Sequence, residues 1–580
     1  LSRFSLYASV RRTIAEAVSR AVADAFSIGA PAIALDRPAD PAHGDYSTTV
    51  AFDLAKALRR SPREIARDLA ARIGAVEGVG AVRVEGAGYL NFSLDRAAFV
   101  GRFVAYEAAA APAPRAGKIV VEHTNINPNK AAHIGHLRNA VLGDTLVRCL
   151  RGMGHDVEVQ NYIDDTGVQV ADVVVGFWDF RRWTLDQIRE AIARPSGHGE
   201  RFRTFGDLCW EVYAEVGRTY ESRPETRGLR NETLHAMEEG GNARSAAAQM
   251  ISAAITREHV STMGRLGVTY DLLPRESDIL ARQFWVRAFA LLRERGVVVL
   301  ETEGKHAGCW VMRLTGSEEF AGLEEPDKIL VRSNGTVTYT GKDIAYQLWK
   351  FGKLGLDFDY APFEPDWKQG AGREDAVPES VRAHPVWRTE TGSAADHPPF
   401  GGATRVINVI DQRQSYPQKV VREGLRALGF EAEAARSIHF AYEMVAMTPK
   451  SVRRLHEVYG GPEYALGEED AKKAFVEMSG RKGLGVKAND LLELLVEEAR
   501  RRSVGNESDA APPDPSGITQ SRAIAVGALR YFMLKFGRNK VIAFDFDEAL
   551  SFEGDTGPYL QYSAVRVENI LRKLRERGLP

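Results

Sequence analysis

The sequence predicts an α/β protein whose centre is a parallel sheet, on three observations. Lys118–Glu122 is an apolar strand, Thr124–Lys130 an Asn-rich loop, and His133–Gly152 keeps helical spacing at Leu137, Val141, Thr145 and Cys149. Gly152 and Gly154 then stop the helix and Asp156–Ile163 resumes a strand. A strand–helix–strand unit of that length closes by a right-handed crossover between parallel strands, which places its ligand at their carboxyl ends beside the helix N-terminus. Before this unit the chain alternates helical and strand patterns, and beyond it the last segment is helical. The expectation is therefore a Rossmann-type nucleotide-binding sheet with insertions, flanked by an α+β domain and an all-α domain.

Taken in order, residues 1–110 form the first domain. Val10, Ile14, Val18 and Val22 share one face of a helix over Tyr7–Phe26. Ser61, Pro62 and Glu64 have the spacing of an N-cap, a first-turn proline and a capping box, so a second helix runs from Pro62 to Ile73. Val82–Glu85 and Tyr89–Ser93 flank Gly86-Ala87-Gly88 as a hairpin. The Ala- and Pro-rich stretch 108–117 reads as a linker. The central domain is set at 116–503. Two insertions are read in it, a charged, mostly helical one over about 170–330 and a loop-rich one over 352–403. Lys328–Arg332 and Thr336–Thr340 around Asn334-Gly335 predict a second hairpin, and Arg405–Ile410 a further strand. Residues 504–518 are a second linker, and 516–580 begin a helical domain.

Composition removes several function classes. The 580 residues carry 76 Lys plus Arg against 78 Asp plus Glu, a formal charge of −2, which excludes a uniformly basic nucleic-acid coat but not local basic faces. Cys149, Cys209 and Cys309 are far apart and form no CxxC, against a structural zinc site or a disulfide framework and for a reducing cytoplasm. No apolar run reaches the ~18 residues of a membrane span. Leu1 instead of Met and the stop at Pro580 suggest a fragment cut at its C-terminus.

The chemistry concentrates in His133-Ile134-Gly135-His136, which opens a helix directly after a strand and a polar loop. Histidines three apart share one face of the first turn, where free N–H groups and the positive dipole end also lie. Gly135 removes a side chain where a nucleotide must approach closely. The imidazoles can then donate to triphosphate oxygens as charge moves onto leaving pyrophosphate. A zinc site or two capping histidines would be the bland reading of a bare HxGH, and the strand–loop–helix context outweighs it.

Val121-Glu122-His123-Thr124-Asn125-Ile126-Asn127-Pro128-Asn129-Lys130-Ala131-Ala132-His133-Ile134-Gly135-His136-Leu137-Arg138-Asn139 resembles the first nucleotide-binding motif of class I aminoacyl-tRNA synthetases. The Glu eleven residues before the first His, the Asn five after that Glu, and HxGHLR are together similar to the arginyl-tRNA synthetases. The resemblance covers nearly the whole chain. Gly44–Thr48 and Gly88–Phe92 look like that family's tRNA-contacting N-terminal domain, and Gly554–Tyr562 like the start of its anticodon-binding domain.

The resemblance implies ATP-dependent attachment of L-arginine to tRNA(Arg) through arginyl-adenylate, with ATP entering with Mg2+ and no protein-bound metal. It places Glu122, Tyr339 and Asp343 at the arginine side chain, and a planar guanidinium does call for carboxylates placed for bidentate pairing. Asn127 and Gln414, with Gln412 as the competing choice, fall where the amino acid's backbone end is held, and Asn125 is counted with the arginine-binding residues. His133, Gly135, His136, Met478 and Ser479 are the ATP-binding positions. His133, His136, Lys130, Arg481 and Lys482 are the catalytic ones. The clamp loop is matched to Val476–Gly483, where Glu477 and Gly480 replace the usual lysines and Lys130 supplies the missing charge. Met447–Ser451 competes for that loop but is stiffened by Pro449. Basic stretches Leu529–Lys540 and Val565–Arg577, with Tyr531, Phe532 and Phe536, suit RNA. A monomer in the cytoplasm, with no membrane, completes the expectation. Two other classes compete, an HxGH nucleotidyltransferase of cofactor biosynthesis and a non-catalytic tRNA-binding paralogue.

Overall fold

The computed structural model of the chain describes residues 3–38, 40–107, 114–314, 320, 327–335, 337–368, 377–392, 396–477, 485–503 and 519–578. The linker stretch 504–518 and most of 108–117 lie outside them. The chain divides into two compact units, residues 1–116 with 148–156, and residues 117–147 with 157–580.

In the first unit α1 (Arg3–Phe26) is followed by β1 (Tyr46–Thr48), α2 (Val50–Leu58), α3 (Pro62–Ile73), β2 (Val79–Glu85), β3 (Tyr89–Leu94) and α4 (Arg96–Glu107). The apolar stripe Val10, Ile14, Val18 and Val22 is buried in one core with Ile65 and Leu69 of α3 and Leu90 and Phe92 of β3. Ser61 caps α3 as its spacing predicts: its hydroxyl accepts the Glu64 N–H at 3.3 Å, and the Glu64 carboxylate accepts the Ser61 N–H at 3.3 Å. Such a cap stabilises a helix by about 1 kcal/mol. β3 pairs antiparallel with both β2 and β1.

The second unit is built on a seven-stranded sheet. β4 (Lys118–Glu122) leads through α5 (Ile134–Gly152) to β5 (Asp156–Gln160), the unit that hydrophobic periodicity delimits in the sequence. Five helices follow: α6 (Val168–Val175), α7 (Leu185–Ala193), α8 (Phe205–Ser222), α9 (Gly228–Glu239) and α10 (Ala243–Gly264). β6 (Leu272–Leu273) returns to the sheet before α11 (Glu276–Ala281) and α12 (Phe284–Glu294). β7 (Val298–Leu300), β8 (Trp310–Met312) and β9 (Lys328–Val331) make a separate antiparallel sheet. After α13 (Tyr339–Lys350) come β10 (Asp359–Pro362), β11 (Trp387–Glu390), β12 (Arg405–Asp411) and β13 (Ser437–Tyr442). The strand order is β10-β11-β6-β5-β4-β12-β13, with β10 antiparallel at the edge and the registered pairs β11–β6, β6–β5, β4–β12 and β12–β13 parallel. From β4 the chain builds one side of the sheet and from β12 the other. The strand direction of growth therefore reverses between β4 and β12, and a ligand crevice opens at their carboxyl ends.

Three readings of the sequence change here. The stretches 170–330 and 352–403 do not stand wholly apart from the sheet, because β6 lies in one and β10 and β11 in the other. Strands of two to four residues leave too few alternations for a periodic signal. The hairpin expected at Thr336–Thr340 is a helix start: the Asn334-Gly335 turn forms and Val337 bridges Val331, but Thr338 is already the N-cap of α13. α13 wins because Ile344, Ala345 and Leu348 bury on one face of it. Finally, the segment after 516 is not purely helical, since β15 (Ile542–Phe544) pairs parallel with β14 (Val445–Met447).

Candidate active site

The turn that leaves β4 is strained and locked. Thr124 and Asn125 are consecutive non-glycine residues at φ 79° and 40°, a region that costs about 1–3 kcal/mol per residue unless the surroundings enforce it. Here they do. The Thr124 N–H donates to Asn139 Oδ1 at 2.6 Å and the Asn125 N–H to Asn161 Oδ1 at 2.9 Å. Asn125 also accepts the Tyr162 N–H at 2.9 Å and donates to Glu122 Oε1 at 2.7 Å. Its side chain is thus spent on the architecture of the turn, and it shapes the site by fixing Glu122.

Beyond the turn, His133 and His136 stack with centroids 3.6 Å apart and planes 18° from parallel. His133 Nδ1 accepts the Gly135 N–H and His136 Nδ1 accepts the His133 N–H, both at 3.2 Å. Each neutral ring therefore carries its proton on Nε2, as a donor. Burial, reinforced by the Lys130 charge, pushes His133 down to about 3 and His136 well below the ordinary histidine value. Both are neutral donors at pH 7. Lys130 is pushed down to about 8 by burial alone and sits 4.6 Å from the Trp210 ring centroid. A Cβ on Gly135 would press to 3.0 Å from the His133 ring, so this turn admits no larger residue without moving the imidazole.

The clamp residues Met478, Ser479, Arg481 and Lys482 lie outside the described residues, but both flanks are placed. Val476 bridges Met447 on one side; on the other, Ile134 N–H donates to Val486 O at 3.0 Å and Ala488 N–H to Ala132 O at 2.8 Å. The segment that follows the clamp motif runs along the histidine turn. The competing stretch Met447–Ser451 is taken up in β14 and the helix Pro449–Tyr459, whose N-cap Thr448 accepts the Ser451 N–H. Lys450 there is paired with Asp547 at 2.5 Å.

The other end of the site is acidic. Tyr339, Lys342 and Asp343 occupy the first turn of α13 at i, i+3 and i+4, one face of the helix. Burial, with Glu276 and Glu122 adding to it, raises Asp343 to about 7. Asp164, at the end of the segment leaving β5, is raised to about 8 by burial and by Glu276, and its buried Oδ1 has no partner among the described residues. Asp343 makes no hydrogen bond among the described residues either. Glu276, almost wholly buried, accepts from Tyr162 Oη at 2.8 Å, Thr166 Oγ1 at 2.5 Å and Lys342 Nζ at 2.5 Å. Tyr339 is 56% exposed at the rim.

Glu122 differs from its expected role in one respect. It is buried at the end of β4 and electrostatically coupled to Asp343, yet its Oε2 is ion-paired with the buried Lys350. Lys350 also donates to Asn408 Oδ1 at 3.2 Å. Around Asp343 the acids Glu276, Glu122 and Asp164 gather, opposed by Lys350 and Lys342. Asn127 is half-buried and Gln414, like Gln412, is exposed in the turn after β12; no hydrogen bond among the described residues joins either to the pocket. The sequence reading missed Asp164, Glu276 and Lys350. The acidic pair Asp164-Asp165 just past a strand end was a usable signal, whereas nothing local marks Glu276.

The arrangement can hold an anion at one end and a cation at the other. Among the described residues no group of three or more His, Cys, Asp and Glu is placed to hold a metal ion, and no helix is long and apolar enough to cross a membrane.

Residues 9–94 match the family model of the arginyl tRNA synthetase N terminal domain, and residues 104–359 that of the class I (R) tRNA synthetase catalytic domain. An arginine–tRNA ligase of Thermococcus kodakarensis is 35% identical over 550 residues, covering 92% of this chain and 77% of its own. One of Deinococcus radiodurans is 37% identical over 542 residues, again covering 92% and 77%. The solved structure of Thermus thermophilus arginyl-tRNA synthetase superposes with a TM-score of 0.69 at 33% identity, covering 97% of this chain and 82% of that one.

Proposed function

The chain belongs to the class I arginyl-tRNA synthetases, and from that premise we propose a division of labour in the site as it joins L-arginine to ATP and passes the arginyl group to tRNA(Arg). An oxygen of the arginine carboxylate attacks the α-phosphorus in line, and the bond to the bridging β-oxygen breaks as pyrophosphate leaves. No protein nucleophile is required. Catalysis is then positioning and charge stabilisation. The Nε2–H groups of His133 and His136 donate to the triphosphate, Lys130 adds a cation, and Gly135 lets the nucleotide approach. Arg481 and Lys482 are assigned to the leaving group and Met478 and Ser479 to ATP, and Mg2+ enters with the nucleotide as part of the substrate. Asp343 pairs with the guanidinium while Asp164 and Glu276 add negative charge beside it, Tyr339 covers it, and Asn127 and Gln414 hold the amino acid's backbone end. Glu122 and Asn125 form the floor.

What carries this reading is the ion pair between Glu122, seated at the β4 end of the histidine loop, and Lys350 of α13, which ties the strand leading to His133 to the helix that carries Asp343. We further assign residues 1–110 to tRNA contact, 116–503 to catalysis and 516–580 to the start of the anticodon-binding region, and take the protein to act as a cytoplasmic monomer. The unpaired thiols of Cys149, Cys209 and Cys309 suit a reducing compartment. The test is ATP–pyrophosphate exchange with arginine, with and without tRNA(Arg). Exchange that depends on arginine supports the reading; its absence in both conditions overturns it.

A further inference from the structure

Trp210, on α8 of the helical insertion, is 4% exposed and touches three separate parts of the phosphate end. Lys130 Nζ lies 4.6 Å from its ring centroid, within the reach of a cation–π contact. His133 meets it edge-on, centroids 6.5 Å apart at 87°. Its six-membered ring lies so close to Gly485 that a Cβ there would sit 2.2 Å from Cζ2. Gly485 is the first described residue after the clamp motif, and its φ is not positive, so glycine is demanded by the indole and not by the backbone. α8 itself is tied to the same loop, since the Ala131 N–H donates to Gly206 O at 3.1 Å.

Building on the division of labour above, we propose that Trp210 is a positioning residue of the activation step: one indole holds Lys130, His133 and the root of the clamp loop in fixed relation around the triphosphate. It acts through these three neighbours.

The experiment compares wild type, Trp210→Phe, Trp210→Leu and Gly485→Ala in arginine-dependent ATP–pyrophosphate exchange with tRNA(Arg) present, from pH 6.5 to 10. Wild type must show exchange, and its failure would overturn the reading of the site and not this one. Trp210→Leu is expected to lower kcat by about 30-fold and raise the KM for ATP several-fold, leaving the KM for arginine within about twofold. Trp210→Phe, keeping an aromatic face, should recover to within about fivefold of wild type. Gly485→Ala, which pushes on the indole from the loop side, should reproduce the effect on ATP. A loss in which both KM values rise together, or a Trp210→Phe variant no better than Trp210→Leu, would reduce Trp210 to a core residue and overturn the proposal.

Discussion

The two ends of the crevice are both enclosed, and enclosure acts on them in opposite directions. At the phosphate end it strips protons from bases: His133 and His136 are neutral and Lys130 is weakened to about 8. At the arginine end it adds protons to acids, raising Asp343 to about 7 and Asp164 to about 8. One physical cause, loss of water around a charge, leaves one end holding neutral donors and the other holding acids that outnumber their cations. Counting Glu122, Asp164, Glu276 and Asp343 against Lys342 and Lys350, four acids face two ammonium groups. The imbalance matches an amino acid carrying a guanidinium and an α-ammonium. The phosphate end needs the reverse, donors that stabilise growing negative charge without having bound the ground state too tightly.

The sharpest separation of the two ends is Asp343→Asn. It removes the carboxylate that has no hydrogen-bond partner among the described residues and leaves an arriving guanidinium short of a charge. Arginine-dependent exchange should fall by about 10³ in kcat/KM for arginine, roughly 4 kcal/mol, while the KM for ATP stays within about twofold. His136→Ala should do the opposite, lowering kcat by about 10²–10³ with the KM for arginine unchanged, because an interaction made in the transition state is lost. If both variants lose arginine binding equally, the division of roles is wrong.

A finer test lies inside the acidic end. Glu276→Gln should raise the KM for arginine by about 10² and also lower the thermal midpoint, since it removes the anion paired with Lys342. Glu122→Gln should change the KM for arginine by less than about tenfold but lower the thermal midpoint, because it strands the buried Lys350 without its anion, a loss of about 3–5 kcal/mol. The reverse ranking in exchange kinetics would restore Glu122 as a direct ligand.

This pairing also marks how far the sequence could be read. β4, α5 and β5 were legible because their apolar periodicity is local, and the histidine turn because its spacing lies within one stretch. β6, with only Leu272-Leu273, and the short strands inside 352–403 were not, since pairing and not periodicity makes them strands. Tyr339 and Asp343 were named through family resemblance. Glu122 was named the same way, but the ammonium that occupies it comes from Lys350 at the far end of α13, and no local pattern announces a partner brought in by folding. Glu276 and Trp210 are the same kind of residue: unremarkable in sequence, and placed at the site by elements that pack against it.

The same contrast has a pH signature that follows from protonation. Arginine keeps its guanidinium charged throughout, so it binds the ionised forms of Asp343 and Asp164 and must displace whatever protons they hold. Below pH 7 both carboxyls are protonated in the empty pocket and binding is opposed by the proton; above pH 8 both are ionised and the opposition is gone. The KM for arginine should therefore fall as pH rises from 6 to 8.5, by up to about tenfold per unit for each proton displaced. At the phosphate end the sign is reversed, because Lys130 loses its charge as pH passes about 8, so kcat should decline over the range in which the KM for arginine stops improving. Steady-state exchange at fixed saturating ATP separates the two. Calorimetry of arginine binding at pH 7 in two buffers of different ionisation enthalpy should show proton release, diminished in Asp343→Asn. A KM for arginine that is flat from pH 6 to 8.5, with no buffer-dependent heat, would mean that the pocket's acids are already ionised before arginine arrives, and the contrast between the two ends would then be one of shape and not of charge.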